Sequence, residues 1–363
     1  MNRSAIPAAL FCALLPWSGL AQSSSLIVIR YDANGKPVVE QKTETKSTVT
    51  SQGSSLIQVA SKLNAQAQPV LSVESTVTTS QPATSVRRSE STTRVRDRQG
   101  NVRKTTKAVM TEKQVSADTV RTETEFQESR AGDLVATARM VETRRQKSDG
   151  SEYERLIEAK AGNGEFRPRQ KVDSETREYS TGAKRTRTVE SSFDLSGNAR
   201  PTRETVERES AVFWGKQTVE RIIRTIESNG NMKLDRVEVE ERNLKATTGV
   251  LSEKVVKKPD PSLGLHNALV VTTSAGTATS GDPYKVTVTK EYPRNDRFGG
   301  PIVTQVEIER TIQRGDGTAY IEREFKVRDI NGSLVTQSVT QIDVKGDGKQ
   351  PPPPAAEEAP SGE

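Results

Sequence analysis

Residues 96–101 read RDRQGN, and nearly the same phrase returns as YDANGK at 31–36, FDLSGN at 193–198 and RDINGS at 328–333, with a looser IESNGN at 226–231. An Asp three residues ahead of a Gly is turn chemistry. The carboxylate accepts nearby backbone N–H groups at the start of a type I turn. The glycine then takes the left-handed conformation that closes a hairpin through a bulge. The candidate structural residues are therefore Asp32, Gly35, Asp97, Gly100, Asp194, Gly197, Gly230, Asp329 and Gly332.

The turns are periodic. Gly100, Gly132, Gly164, Gly197 and Gly230 follow one another at steps of 32, 32, 33 and 33. A second series trails the first by about eighteen residues: Asp118, Gly150, Gly182, Gly215 and Gly249. The first series continues through Gly264, Gly299 and Gly332, the second through Gly281, Gly315 and Gly346, and Gly35 and Gly53 extend the pattern backward. Only residues 60–92 lack turn glycines; Pro69 and Pro82 are expected to substitute there, or the gap marks a domain boundary. Periods of this size belong to stacked supersecondary units, here about ten units of roughly 33 residues.

Between the turns lie segments rich in Thr, Val, Arg and Glu. YKVTVTKEY at 284–292, RVEVEER at 236–242 and VEIERTIQR at 306–314 alternate with the period of two that marks a strand. Residues 151–160 and 218–228 carry apolar side chains at helical spacing, but AKRTRTVESSF at 183–193, at the same repeat phase, is a poor helix former. The expectation is therefore all-β: a repeat array of long antiparallel β-hairpins forming an elongated twisted or rolled sheet. Leu, Ile, Val and Phe make up only 75 of 363 residues, which favours thin layers over a thick core. A membrane-spanning barrel needs a continuous apolar outer face. Strands such as TRVRDRQ at 93–99 and KRTRT at 184–188 do not supply one.

The phrase D-x-x-G-N resembles the turn of the YD repeats of Rhs-type and toxin-shell proteins, which also build strand after strand into large β-structures. The match is confined to Asp32–Lys36, Asp97–Asn101, Asp194–Asn198 and Asp329–Ser333. An aromatic precedes the Asp only at Tyr31 and Phe193, and the period here is longer. The resemblance is one of turn chemistry rather than family membership.

The ends carry their own signals. Arg3, an apolar run from Ala5 to Leu15 and the small residues around Ala21 form a secretory leader, expected to be removed as residues 1–21. Cys12 is the chain's one cysteine, so the mature chain is cysteine-free. The repeat region runs over 22–348, and the proline-rich residues 349–363 form an extended tail. The net charge of +6 is mild for this length and argues against nucleic acid.

Site chemistry is sparse. His266 is the single histidine, and no Ser sits in a nucleophile motif. One His and no mature Cys argue against metal centres and redox cofactors, so no cofactor is expected. Counted from Asp32 and Asp329, the twelfth position of a calcium loop falls on Thr43 and Thr340, which cannot give the bidentate carboxylate. The tripeptide Arg314–Asp316 reads as a repeat turn, and the basic pairs Arg144-Arg145 and Lys184 to Arg187 as solvated strand faces. The expected function is an exported, non-enzymatic structural protein of the periplasm, cell surface or extracellular space. Its two sheet edges leave room for self-association, which charged strands would hold in check, and it would have no membrane span after leader removal. The alternatives are a binding module for anionic envelope polysaccharide or lipid head groups, and a secreted hydrolase built on Glu pairs.

Overall fold

The computed structural model describes residues 22–31, 37–50, 53–64, 68–262, 264–293, 300–313 and 319–345. They form twenty strands in one sheet: β1 (Gln22–Tyr31), β2 (Pro37–Thr50), β3 (Gly53–Leu63), β4 (Pro69–Ala83), β5 (Val86–Asp97), β6 (Val102–Ser116), β7 (Thr119–Arg130), β8 (Asp133–Lys147), β9 (Gly150–Lys160) and β10 (Phe166–Glu178) make the first half. The second half is β11 (Lys184–Phe193), β12 (Ala199–Glu209), β13 (Lys216–Ile226), β14 (Met232–Asn243), β15 (Gly249–Asp260), β16 (Gly264–Thr277), β17 (Pro283–Glu291), β18 (Ile302–Gln313), β19 (Ala319–Arg328) and β20 (Leu334–Lys345). Each strand pairs antiparallel with its neighbours in sequence. The segments with helical spacing, 151–160 and 218–228, lie mainly in β9 and β13. Of residues 60–92, the described ones include parts of β3, β4 and β5, which pair with one another in sequence order.

The sheet closes. β1 pairs with β20 from Ser23↔Lys345 to Arg30↔Ser338, so the first and last strands are neighbours. This corrects the expected elongated twisted or rolled sheet: the array is a closed β-barrel. Each hairpin is specified locally, but closure joins segments more than 300 residues apart, which no local repeat signal encodes. A closed barrel has no free edge. Self-association through sheet edges therefore loses its basis. The expected scaffold role, read from a regular array without site chemistry, is corrected as well, because the array closes on itself into a barrel instead of extending as a structural sheet.

Ten bulges help to curve the wall. Every hairpin from an odd to an even strand has one extra residue on the even strand: Glu40, Val70, Arg103, Thr137, Arg169, Thr202, Asp235, Ala268, Thr304 and Gln337. A bulge bends its strand and increases local twist, and barrel rims are where such residues concentrate. Three of them cap what they disrupt: Thr137, Thr202 and Thr304 donate through Oγ1 to the carbonyls of Phe126, Glu190 and Thr289, at 3.2, 3.1 and 3.4 Å.

The turns at this end share one geometry. Asp97 N donates to Asn101 O and Gly100 N to Asp97 O, both at 3.0 Å, while Oδ1 of Asp97 accepts from Gln99 N and Asn101 N. Asp194 repeats the arrangement with Ser196 N and Asn198 N. Asp329 accepts from Ser333 N at 2.7 Å. Gly100, Gly197, Gly230 and Gly332 have φ of 82 to 87°, the left-handed region. In the glycine-poor stretch Asn64 takes the aspartate's part, its Oδ1 accepting Gln68 N at 2.9 Å; the neighbouring Pro69 is the first residue of β4. Asp32 and Gly35, and Arg314–Asp316, lie outside the described residues.

Burial is thin, in keeping with a wall one sheet thick. Val172, Val206, Val219, Ile223, Val237, Val256 and Val339 are the buried apolar side chains, shielded by neighbours on the same wall. Among the described residues, extensive contacts join only adjacent strands, β1 and β20 included. Twenty strands spaced ~4.8 Å apart and tilted ~40° give a backbone diameter of about 40 Å. That bore is too wide for side chains to fill.

The two faces of the wall as the candidate functional site

Residues directly opposite on paired strands project to the same side of a sheet. Following the registers around the barrel sorts the side chains into two faces, one outward and one toward the bore. On the first, Glu204 stands opposite Arg224 and Val189. Glu204 is nearly enclosed, and Nε of Arg187 and Nη1 of Arg224 each reach one of its oxygens at 2.8 Å. The same face carries Arg94 with Glu74 at 3.4 Å, Lys107 with Glu90 at 2.9 Å, Arg139 with Glu158 at 2.6 Å and Lys171 with Glu154 at 3.2 Å. The repeat positions Val109, Val141, Asp173, Val206 and Val239 also share it.

The second face is charged as well. Arg221 stands between Glu207 and Glu238 on the flanking strands and is bonded to Glu207. Glu238 is held by Arg236 at 2.7 Å and Lys254 at 2.9 Å. Arg323 meets Glu309 at 2.6 Å, and the Tyr153 hydroxyl donates to Glu142. Between these pairs the face is lined by Thr and Ser, including Thr122, Thr124, Thr186 and Thr188.

This distribution corrects a second expectation. A binding module for anionic polymers needs cations from successive repeats gathered on one face. Here Arg and Lys occupy both faces and lie beside carboxylates on each. The basic clusters divide in the same way: Arg145 and Arg144 fall on opposite faces, as do Arg187 and Lys184. The depressions in the wall, such as the one lined by Arg145, Glu152, Asp173, Glu175 and Arg187, are shallow and ion-paired.

No group of three or more His, Cys, Asp or Glu among the described residues is arranged to hold a metal ion. His266 lies opposite Lys258, with Nδ1 buried and without a hydrogen bond. Among the described residues no helix is long and apolar enough to cross a membrane. A barrel crosses with strands, so the expectation of no membrane span does not settle the matter.

The turn aspartates are held ionised by their surroundings. The Asn198 N–H, the Ser196 N–H and the Arg200 guanidinium lower the Asp194 pKa below the usual carboxylate range, outweighing its partial desolvation. The Ser116 and Thr119 hydroxyls do the same for Asp118.

No family model matches the chain, and no curated protein does. Among solved structures, a BenF-like porin from Pseudomonas fluorescens Pf-5 aligns over 90% of this chain and 98% of its own, at 10% identity and a TM-score of 0.43. The beta domain of the Bordetella autotransporter BrkA aligns over the same shares at 8% identity and a TM-score of 0.15. The description of this chain as a closed barrel rests on its own strand pairing.

Proposed function

We propose that the chain is a channel-type barrel, a closed wall that holds open a water-filled passage for polar solutes. One observation carries this reading: β1 and β20 pair, closing twenty strands into a barrel. An even number of antiparallel strands joined in simple hairpins is the plan of bacterial outer-membrane barrels, and the secretory leader read from residues 1–21 would deliver the chain to the envelope. The bore at this strand number admits water. The passage is not a catalytic site in this reading; solutes move through it unchanged.

The chemistry of the wall favours a second reading of its setting. Whichever face points outward carries arginines and lysines well inside the strands: Arg94, Lys107, Arg139, Arg187 and Arg224 on one, Arg221, Arg236, Lys254 and Arg323 on the other. Each cation facing lipid near the bilayer centre costs roughly 2–4 kcal/mol. The charge on either face supports a barrel whose outer surface stands in water, as a conduit beside a membrane rather than through it. Reconstitution separates the two. Insertion into planar bilayers with ohmic conductance steps supports the membrane channel. Quantitative recovery in detergent-free buffer, with no conductance, supports the conduit.

A further inference from the structure

The densest exposed apolar group sits on the turn between β12 and β13. Val212, Phe213 and Trp214 are 54, 74 and 83% exposed, in a chain with few aromatics, and Trp214 is the only tryptophan among the described residues. The two rings meet edge to face, centroids 6.0 Å apart. The turn is rigid. Phe213 and Lys216 exchange backbone hydrogen bonds of 2.9 Å, with Trp214 and Gly215 at φ of 54 and 78° between them. A non-glycine residue in that left-handed region is uncommon and persists only where its surroundings enforce it. The neighbouring turn supplies a clamp: Leu244 N donates to Gly215 O at 2.7 Å, and Lys245 packs so closely that a Cβ on Gly215 would lie 2.6 Å from its Cγ. Leu244 is itself 57% exposed, and Lys216 and Lys245 are exposed and form no ion pair among the described residues.

We propose that this turn is a membrane-interface anchor, with Phe213 and Trp214 entering the headgroup region of an anionic bilayer and Lys216 and Lys245 meeting its phosphates. Aromatic rings with a polar edge concentrate at the water–bilayer boundary, and lysines beside them add attraction to anionic lipid. Four exposed apolar side chains on two projecting turns are too small a patch for a stable protein interface. Trp214, in the left-handed conformation at the hairpin turn, leaves its ring largely open to solvent. The anchor goes beyond the channel reading and stands in either setting of the barrel, because it concerns one rim.

The test uses the full chain carrying Trp17→Phe, so that Trp214 is the sole fluorophore, titrated with phosphatidylcholine vesicles with and without phosphatidylglycerol. The expected result is a blue shift of Trp214 emission and protection from acrylamide on the anionic vesicles, weakened by salt. Phe213→Ser should lower the apparent vesicle affinity about tenfold, with an unchanged circular-dichroism spectrum. Leu195→Ser, fully exposed at the opposite rim, should leave it unaltered. Emission unmoved by vesicles would overturn the proposal, as would equal binding by Phe213→Ser. A shift that follows protein concentration without lipid would also overturn it, since a second copy would then be the occupant. None of these readouts depends on conductance, so the anchor and the channel fail separately.

Discussion

Asp194 shows how much one side chain organises. It accepts Ser196 N at 2.9 Å and Asn198 N at 3.0 Å through one oxygen and Arg200 Nε at 3.1 Å through the other. Because these contacts depress its folded pKa, its contribution to stability is present above the unfolded carboxylate value of about 3.9 and is lost as the pH falls through the folded value. Asp194→Ala should therefore lower the thermal midpoint at pH 7, and the gap to the parent should close on acidification toward pH 3. Glycine matters differently at Gly150, where a Cβ would lie 1.9 Å from the Thr176 carbonyl oxygen of the adjacent strand. Gly150→Ala should cost about 1–3 kcal/mol in denaturant unfolding. Gly162→Ala meets nothing within 4 Å and should change stability little. The recurring D-x-x-G phrase is legible to the eye, but the close approach at Gly150 is not: it depends on β9 lying against β10.

At the scale of the element, strand and hairpin were readable and the bulge was not. Alternating Val and Thr in β17 identify a strand from composition alone. The bulges also left a trace in the repeat. Seven of the ten extra residues fall five positions after the turn glycine, among them Thr137, Thr202 and Thr304 after Gly132, Gly197 and Gly299. Period-two reading passes over such a residue, because one insertion reverses the in–out phase of everything after it. Thr202→Val should remove the bond to the Glu190 carbonyl and cost about 0.5–1.5 kcal/mol. Ion-pair ladders have the same limit. Glu and Arg are abundant, but that Glu204 sits between Arg187 and Arg224 follows from three strands in register. Glu204→Ala should destabilise by about 1–2 kcal/mol, less at high salt because both arginines are partly solvated.

For the whole molecule, closure decides what kind of protein this is. The period of about 33 residues and the uniform hairpins describe an array of any length, open or closed. Nothing in residues 23–30 or 338–345 marks them as partners. Closure turns a sheet with two sticky edges into a tube with an inside. It removes the edges through which an open array would assemble. The low apolar content suits a wall one sheet thick with charges on both faces.

The most direct measurement is a disulfide across the seam. Ile27 faces Gln341 and Val28 faces Thr340. Adjacent antiparallel rungs alternate between Cα separations of ~5.5 and ~4.5 Å, both within disulfide reach. With Cys12 replaced by Ser, the chains Ile27→Cys/Gln341→Cys and Val28→Cys/Thr340→Cys should oxidise within single molecules, identified as a linked β1–β20 peptide by mass spectrometry of the monomer. A closed barrel predicts that link in at least one of the two. Thiols that stay free in the folded monomer, or that link only between molecules, would show an open seam and contradict the account.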